Sequence, residues 1–298
     1  MSLCPVGQNH HWCYSNQQIR RRFSFRYGDG SFVELMNIRK NKSPKTFKGE
    51  LVYLCFQSDV TSKLRYFHTT QSKEFLDAVL VTSKKREKTL RRSRKLWRAQ
   101  LGSAECDGPQ CGIKEYVPYP PERMKPLVDR AKEGRVNPKG IPYLYLATKK
   151  HTAVQEIRPW PGSLISVARF NIVRDLKLID CSKNIFKLNG PGFHCLFSDT
   201  DPPHLKKLSQ DEIEKYVWSW IDWSFSKPVS PSDDTAEYVP TQILAELFRA
   251  NNYDGIIYNS LFAEGKNLAL FDIASAEQSD CTLYRISKIT TFELQEVT

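Results

Sequence analysis

The stretch GRVNPKGIPYLYLATKKHTAVQE, residues 134–156, decides how the rest of the chain is read. It joins a turn-prone loop bearing a cation to a short apolar strand and a helix start that ends in a carboxylate. Arg135 follows a glycine and precedes Asn137-Pro138, which places it on an exposed loop rather than inside a helix. Its planar fork suits a phosphate or pyrophosphate, although a lone arginine is more often an ordinary surface residue. Tyr143 and Tyr145 alternate onto one face of the strand, where either stacks on an aromatic ring or simply joins the core. Glu156 closes a helical segment from His151. It either faces a sugar ring, where a carboxylate stabilises oxocarbenium-like charge, or is a solvated helix glutamate.

Working outward, 298 residues with 40% hydrophobic and 12% aromatic content make a globular chain long enough to bury a core. No run approaches the roughly 18 apolar residues of a membrane span, and the N-terminus lacks a basic stretch leading into an apolar one. A cytoplasmic protein with no membrane partner is expected. Eight cysteines without a regular framework read as reduced thiols. Cys4, His10, His11 and Cys13 have zinc-ligand chemistry but match no common finger spacing, so no metal is assigned. The formal charge of +11 is concentrated in Lys84–Arg98, with nine basic residues against one acidic. A local run of this kind is more often a solvated helix face than a nucleic-acid grip.

Hydrophobic spacing assigns the elements. Asp29-Gly30 between β-formers predicts a hairpin turn, and Gly49–Phe56 reads as a strand. From Ser72 the apolar positions recur at helical spacing through the basic run to Leu90, predicting one long amphipathic helix. Met124–Lys132 reads as a short helix. Leu164–Phe170 and Leu176–Asp180 read as strands, Asp211–Phe225 and Tyr238–Arg249 as helices, the latter stopped by Asn251-Asn252. Tyr253–Ser260 and Gly265–Asp272 follow as strands that build a mixed sheet. Neither a phosphate loop of Walker or dinucleotide type nor a GxSxG surround for Ser260 occurs, so a nucleotide would be held without those folds.

Taken in order, Leu96-Trp-Arg-Ala99, Gly134-Arg-Val-Asn-Pro-Lys-Gly140, Leu144-Tyr-Leu-Ala147, Ala153-Val-Gln-Glu156, Tyr253–Ser260 and Gly265–Asp272 resemble the RES-domain family, named for an arginine, a glutamate and a serine. The resemblance implies an α+β fold with a mixed, mainly antiparallel sheet like that of ADP-ribosyltransferases, surrounded by helices. It would occupy residues 91–298, with residues 1–90 an additional N-terminal region of strands and a basic helix. Implied too are consumption of NAD as substrate, no cofactor, and a toxin's antitoxin protein as partner, with a homodimer as a further candidate. On this reading Arg135 holds the phosphates, Tyr145 stacks near nicotinamide, and Glu156 serves the nicotinamide ribose. Ser260 positions the same moiety, and Arg98 is a second phosphate candidate. Many members carry a histidine soon after the glutamate, whereas Ile157-Arg-Pro-Trp160 follows here. The expected reaction is cleavage of the nicotinamide–ribose bond with water or phosphate as acceptor. The alternatives are transfer of ADP-ribose to a protein, a basic nucleic-acid-binding module, or an inactive interaction module.

Overall fold

Tyr53, Phe56 and Val60 are all buried, and their spacing makes Val52–Ser62 a helix, α1, where a strand was expected over Gly49–Phe56. A short apolar run is compatible with either element, and only the set of residues that reaches the core separates them. The computed structural model describes residues 46–107, 114–128, 130–183, 208–227 and 235–288. These fall within one compact unit, Ser43–Thr298. The Asp29-Gly30 turn and the Cys4, His10, His11 and Cys13 group lie outside the described residues.

The next helix, α2, runs Thr70–Ser83 and stops well short of Leu90. Lys84–Arg86 forms a 3-10 turn, and Glu87–Leu90 becomes strand β1, paired antiparallel with Leu176–Asp180, β7. Arg86 turns inward at 6% exposure with its guanidinium 4.3 Å from the ring centroid of Trp218. Burying that cation against an aromatic face and completing a sheet edge outweigh helical continuation. The single basic helix face is therefore corrected. Lys85 pairs with Glu214 at 2.8 Å, Lys88 with Asp180 at 3.3 Å and Arg91 with Asp175 at 2.7 Å.

Lys95–Leu101 is β2, and Ala104–Asp107 (β3) pairs with Lys114–Val117 (β4) in a separate ribbon. Helix α3 covers only Pro121–Met124, not Met124–Lys132. Pro126 drives Lys125 into extended backbone, φ −105° and ψ 157°, which ends the helix. Then come β5 (Leu144–Ala147), α4 (Lys150–Glu156), β6 (Leu164–Ile172) and β7. Helices α5 (Gln210–Ser226) and α6 (Val239–Ala250) precede β8 (Gly255–Asn259), β9 (Lys266–Leu270) and β10 (Ala276–Arg285). A capping box starts α5: Ser209 accepts from the Glu212 N–H and the Glu212 carboxylate accepts from the Ser209 N–H. Asn252, at φ 61°, takes the left-handed position that closes α6.

The main sheet has eight strands in the order β1-β7-β8-β9-β5-β2-β6-β10, antiparallel throughout except for β7 with β8. This is the expected α+β class with a mainly antiparallel sheet. On one face Tyr143, Ile256, Tyr258, Ala269 and Phe271 pack with residues of α1, α2, α5 and α6. On the other, Leu144, Leu146, Phe170, Leu178, Leu268 and Leu270 pack with Met124 of α3. The parity of each strand follows from side-chain alternation. Between β2, β5 and α4, three alanines (Ala99, Ala147 and Ala153) let the helix approach closely and set the height of its last residue, Glu156.

Trp218 is fully buried, stacked against Arg86, and donates from Nε1 to Thr82 Oγ1 at 3.0 Å. Trp218→Ala should therefore cost about 3–5 kcal/mol in urea denaturation. Trp160→Ala, at a residue 64% exposed, should change stability by less than about 0.5 kcal/mol.

Candidate functional site

The loop after α3 is held by side chains rather than by regular structure. Asn137 is buried and donates from Nδ2 to the carbonyls of Lys132 at 2.9 Å and Ile141 at 2.9 Å. Its Oδ1 accepts from the Tyr145 hydroxyl at 2.7 Å, and that hydroxyl accepts from the Val136 N–H at 3.0 Å. Gly134 is required here, because a Cβ would lie 2.7 Å from Asn137 Oδ1 and 2.8 Å from the Tyr145 hydroxyl. Helix α6 closes the loop from the other side. Thr241 Oγ1 donates to the Arg135 carbonyl at 2.6 Å, and Gln242 Nε2 to the Gly134 carbonyl at 3.0 Å.

Arg135 is half-buried in this frame, not exposed as expected. Its Nη1 donates to the Phe225 carbonyl at the end of α5 at 2.6 Å. Its Nε is buried without a partner among the described residues. One arm of the fork is thus committed to the fold. Tyr145 has its hydroxyl committed as well, and burial holds that phenol well above its ordinary pKa. Its ring remains partly exposed.

Glu156 ends α4, and its Oε1 accepts two hydrogen bonds: from Ser260 Oγ at 2.7 Å and from Asn267 Nδ2 at 2.6 Å. Ser260 follows β8, and its Oγ also accepts from the Phe262 N–H at 3.3 Å. Glu156 and Ser260, far apart in the chain, therefore meet directly. Tyr258 stands between the two halves. Burial raises its phenol pKa strongly, and the charges of Arg135 and Glu156 both act on it. Glu156 and Ser260 thus form one pair and Tyr145 with the Arg135 loop another, and Tyr258 feels charge from both.

Arg98 is not brought to this group. It pairs with Ala168 on β6, whose side chain belongs to the opposite face. From there its Nη1 donates to the Tyr145 carbonyl at 3.0 Å. Burial lowers its pKa to about 10. Its role in this geometry is to support β5 from behind.

Beside Ser260 lies a second polar cluster. Asp222, at 4% exposure on α5, accepts from the Asn259 N–H at Oδ1, 3.2 Å, and from Asn259 Nδ2 at Oδ2, 2.6 Å. Asp180, at the end of β7, accepts from the Ser182 hydroxyl and from Lys88 at 3.3 Å. Lys266 donates to Ser182 Oγ at 2.5 Å. Two surface concavities lie elsewhere: one is lined by Leu101, Trp160 and Arg285, the other by Glu87, Asp175 and Asp254. Among the described residues no three metal-ligating side chains gather, and no helix is long and apolar enough to cross a membrane.

The sequence model of the RES domain matches residues 112–292. The chain belongs to the RES-domain family. A search of curated proteins returns no match. Among solved structures, the RES-domain chain is similar to a chain of the crystal structure of the M. tuberculosis MbcT-MbcA toxin-antitoxin complex. The two are 14% identical over 70% of this chain and 94% of that one, with a TM-score of 0.35.

Several residues of this candidate site escaped the sequence reading. Asn267 sits in phase with Ala269 and Phe271 on the core-facing side of β9, and a polar residue at an inward position is the signal that was there to be read. Asp222 likewise interrupts the buried stripe of α5 between Trp218 and Phe225. Asn137, Thr241 and Gln242 gave no such signal, since their partners are backbone carbonyls, a tyrosine hydroxyl and the Glu133 carboxylate. Removing that hydroxyl tests the frame. Tyr145→Phe should cost about 1–3 kcal/mol, because the buried Val136 N–H is left unpaired. Urea denaturation reads the cost, and faster amide exchange confined to residues 134–137 should accompany it.

Proposed function

We propose that this RES-domain protein cleaves the nicotinamide–ribose bond of NAD, with water as the acceptor. The observation that carries the reading is the carboxylate of Glu156, fixed through one oxygen by Ser260 and Asn267. Its other oxygen has no hydrogen-bond partner among the described residues, and it is the atom offered to the ribose. Nicotinamide departs as a neutral base, so the demanding part of the reaction is positive charge on the ribose carbon. A carboxylate already held in place stabilises that charge without reorganising. Water then adds to the carbon and releases a proton, giving ADP-ribose.

The partly exposed ring of Tyr145 supplies a stacking face for nicotinamide, its hydroxyl being fully used by the loop. Arg135, with Nη1 spent on Phe225, contributes its remaining guanidinium edge to the pyrophosphate. Substrate enters as NAD and no further cofactor takes part. The same family reading makes an antitoxin protein the expected restraint on such an activity.

Purified protein incubated with NAD should release free nicotinamide, and Glu156→Gln should slow release by about a hundredfold or more. Arg135→Ala should act mainly on KM, since it removes a contact made equally in the bound and transition states. Release from Glu156→Ala at the undiminished rate would refute the assignment. Product analysis separates acceptors: ADP-ribose for water, a phosphorylated ADP-ribose for phosphate, and label retained on polypeptide for protein transfer.

A further inference from the structure

β7 pairs with β8 only from Leu178↔Gly255 to Asp180↔Ile257. Two residues later β8 still continues, but among the described residues no strand lies beside it on that edge. The Asn259 N–H would have no strand acceptor there, and a partly buried donor left unpaired is costly. Helix α5 supplies the acceptor. Asp222 takes the Asn259 N–H on Oδ1 at 3.2 Å and its side-chain amide on Oδ2 at 2.6 Å, so one carboxylate clamps both ends of a single residue. The next residue in the chain is Ser260, whose hydroxyl donates to Glu156 at 2.7 Å.

We propose that Asp222 is a positioning residue: standing in for the missing strand at Asn259, it fixes where Ser260 presents its hydroxyl to Glu156. It is no catalytic residue, because its two carboxylate oxygens are both occupied by Asn259. The proposal rests on the NAD-cleaving reading only for its activity readout. Its geometric content stands separately.

The clamp depends on ionisation. Both oxygens accept, so a protonated carboxyl turns one of them into a donor facing a donor. Burial first, then the charge of Asp180 from β7, pushes the Asp222 carboxyl up to about 6, against the two Asn259 hydrogen bonds and the cation of Lys266 on β9. Arg86, from the turn before β1, and the buried thiol of Cys181 also feel its charge. Above about pH 6 the clamp is closed, and below it opens.

The test uses the full chain. In wild-type protein the backbone amide resonance of Asn259 should shift with pH through a single inflection near 6, and in Asp222→Asn that inflection should vanish. Nicotinamide release should fall about tenfold in kcat from pH 7 to pH 5, with KM changed less than about twofold. In Asp222→Asn kcat should be low and free of this acid limb. An Asn259 amide that does not titrate between pH 5 and 7, or a variant with the wild-type kcat and the same acid limb, overturns the proposal while leaving the NAD reading intact. If wild-type protein releases no nicotinamide at all, it is the NAD reading that fails, and the Asn259 titration still decides the clamp. Should Asp222→Asn not fold, the wild-type titration is decisive by itself.

Discussion

Strand β8 can lie where it does only because residue 255 has no side chain. A Cβ on Gly255 would meet the carbonyl oxygen of Ala269 at 2.3 Å, so any other residue would push β8 away from β9. With glycine there, β8 is gripped on both edges, parallel to β7 and antiparallel to β9, in a register that leaves no slack. That register delivers Tyr258 to the helical face, Asn259 to the end of the sheet, and Ser260 just beyond it. Asn267 on β9 pairs with Tyr258, so the amide that holds Glu156 is placed by the same constraint. A shift of one residue would send each of these side chains to the other face.

The two halves of the site are then built in different ways. The half from β8 and β9 inherits its precision from sheet pairing. Its partner, the loop from Gly134 to Ile141, has no ladder and is held instead by Asn137, Tyr145, Thr241 and Gln242. Each of those side chains satisfies backbone groups that a loop would otherwise leave to water. Tyr145 and Arg98 together tie the loop to the sheet from its two faces, Tyr145 through its hydroxyl and Arg98 through the Tyr145 carbonyl. The cost is visible in Arg135, which surrenders one nitrogen to Phe225 in return for a fixed position.

Much of this was legible in the sequence where periodicity and turn chemistry agreed. Helices α5 and α6, strands β5 to β9 and the stop at Asn252 follow from apolar spacing and from a residue that tolerates left-handed backbone. The meeting of Glu156 with Ser260 followed from motif order. What was not legible depended on tertiary choices. Leu51–Phe56 is apolar in either a helix or a strand, and only the core selects Tyr53, Phe56 and Val60. The run Lys84–Leu90 has helical composition, yet Arg86 finds Trp218 and the next four residues find β7. Arg98 bears the charge expected of a phosphate ligand but stands on the wrong face, a matter of strand parity that no motif encodes.

Asp222 and Asp180 sharpen the distinction between folding and site constraints. Asp180 is pushed up by burial, but the Ser182 hydrogen bond and the charges of Lys266 and Lys88 outweigh this and hold its pKa below the ordinary value. Its ionised form therefore stabilises the fold above the usual carboxylate range, and that contribution is lost as pH falls through the depressed value. Asp222 has the opposite sign. With a folded pKa raised to about 6, the native state binds its proton more tightly than the unfolded chain does, so stability falls as pH rises from the ordinary carboxylate range to about 6. At neutral pH its charge is thus a net cost to the fold, placed in the middle of the buried stripe of α5. A group that destabilises what surrounds it, and whose hydrogen bonds among the described residues go only to the residue preceding Ser260, answers to the geometry of the site rather than to the packing of the core.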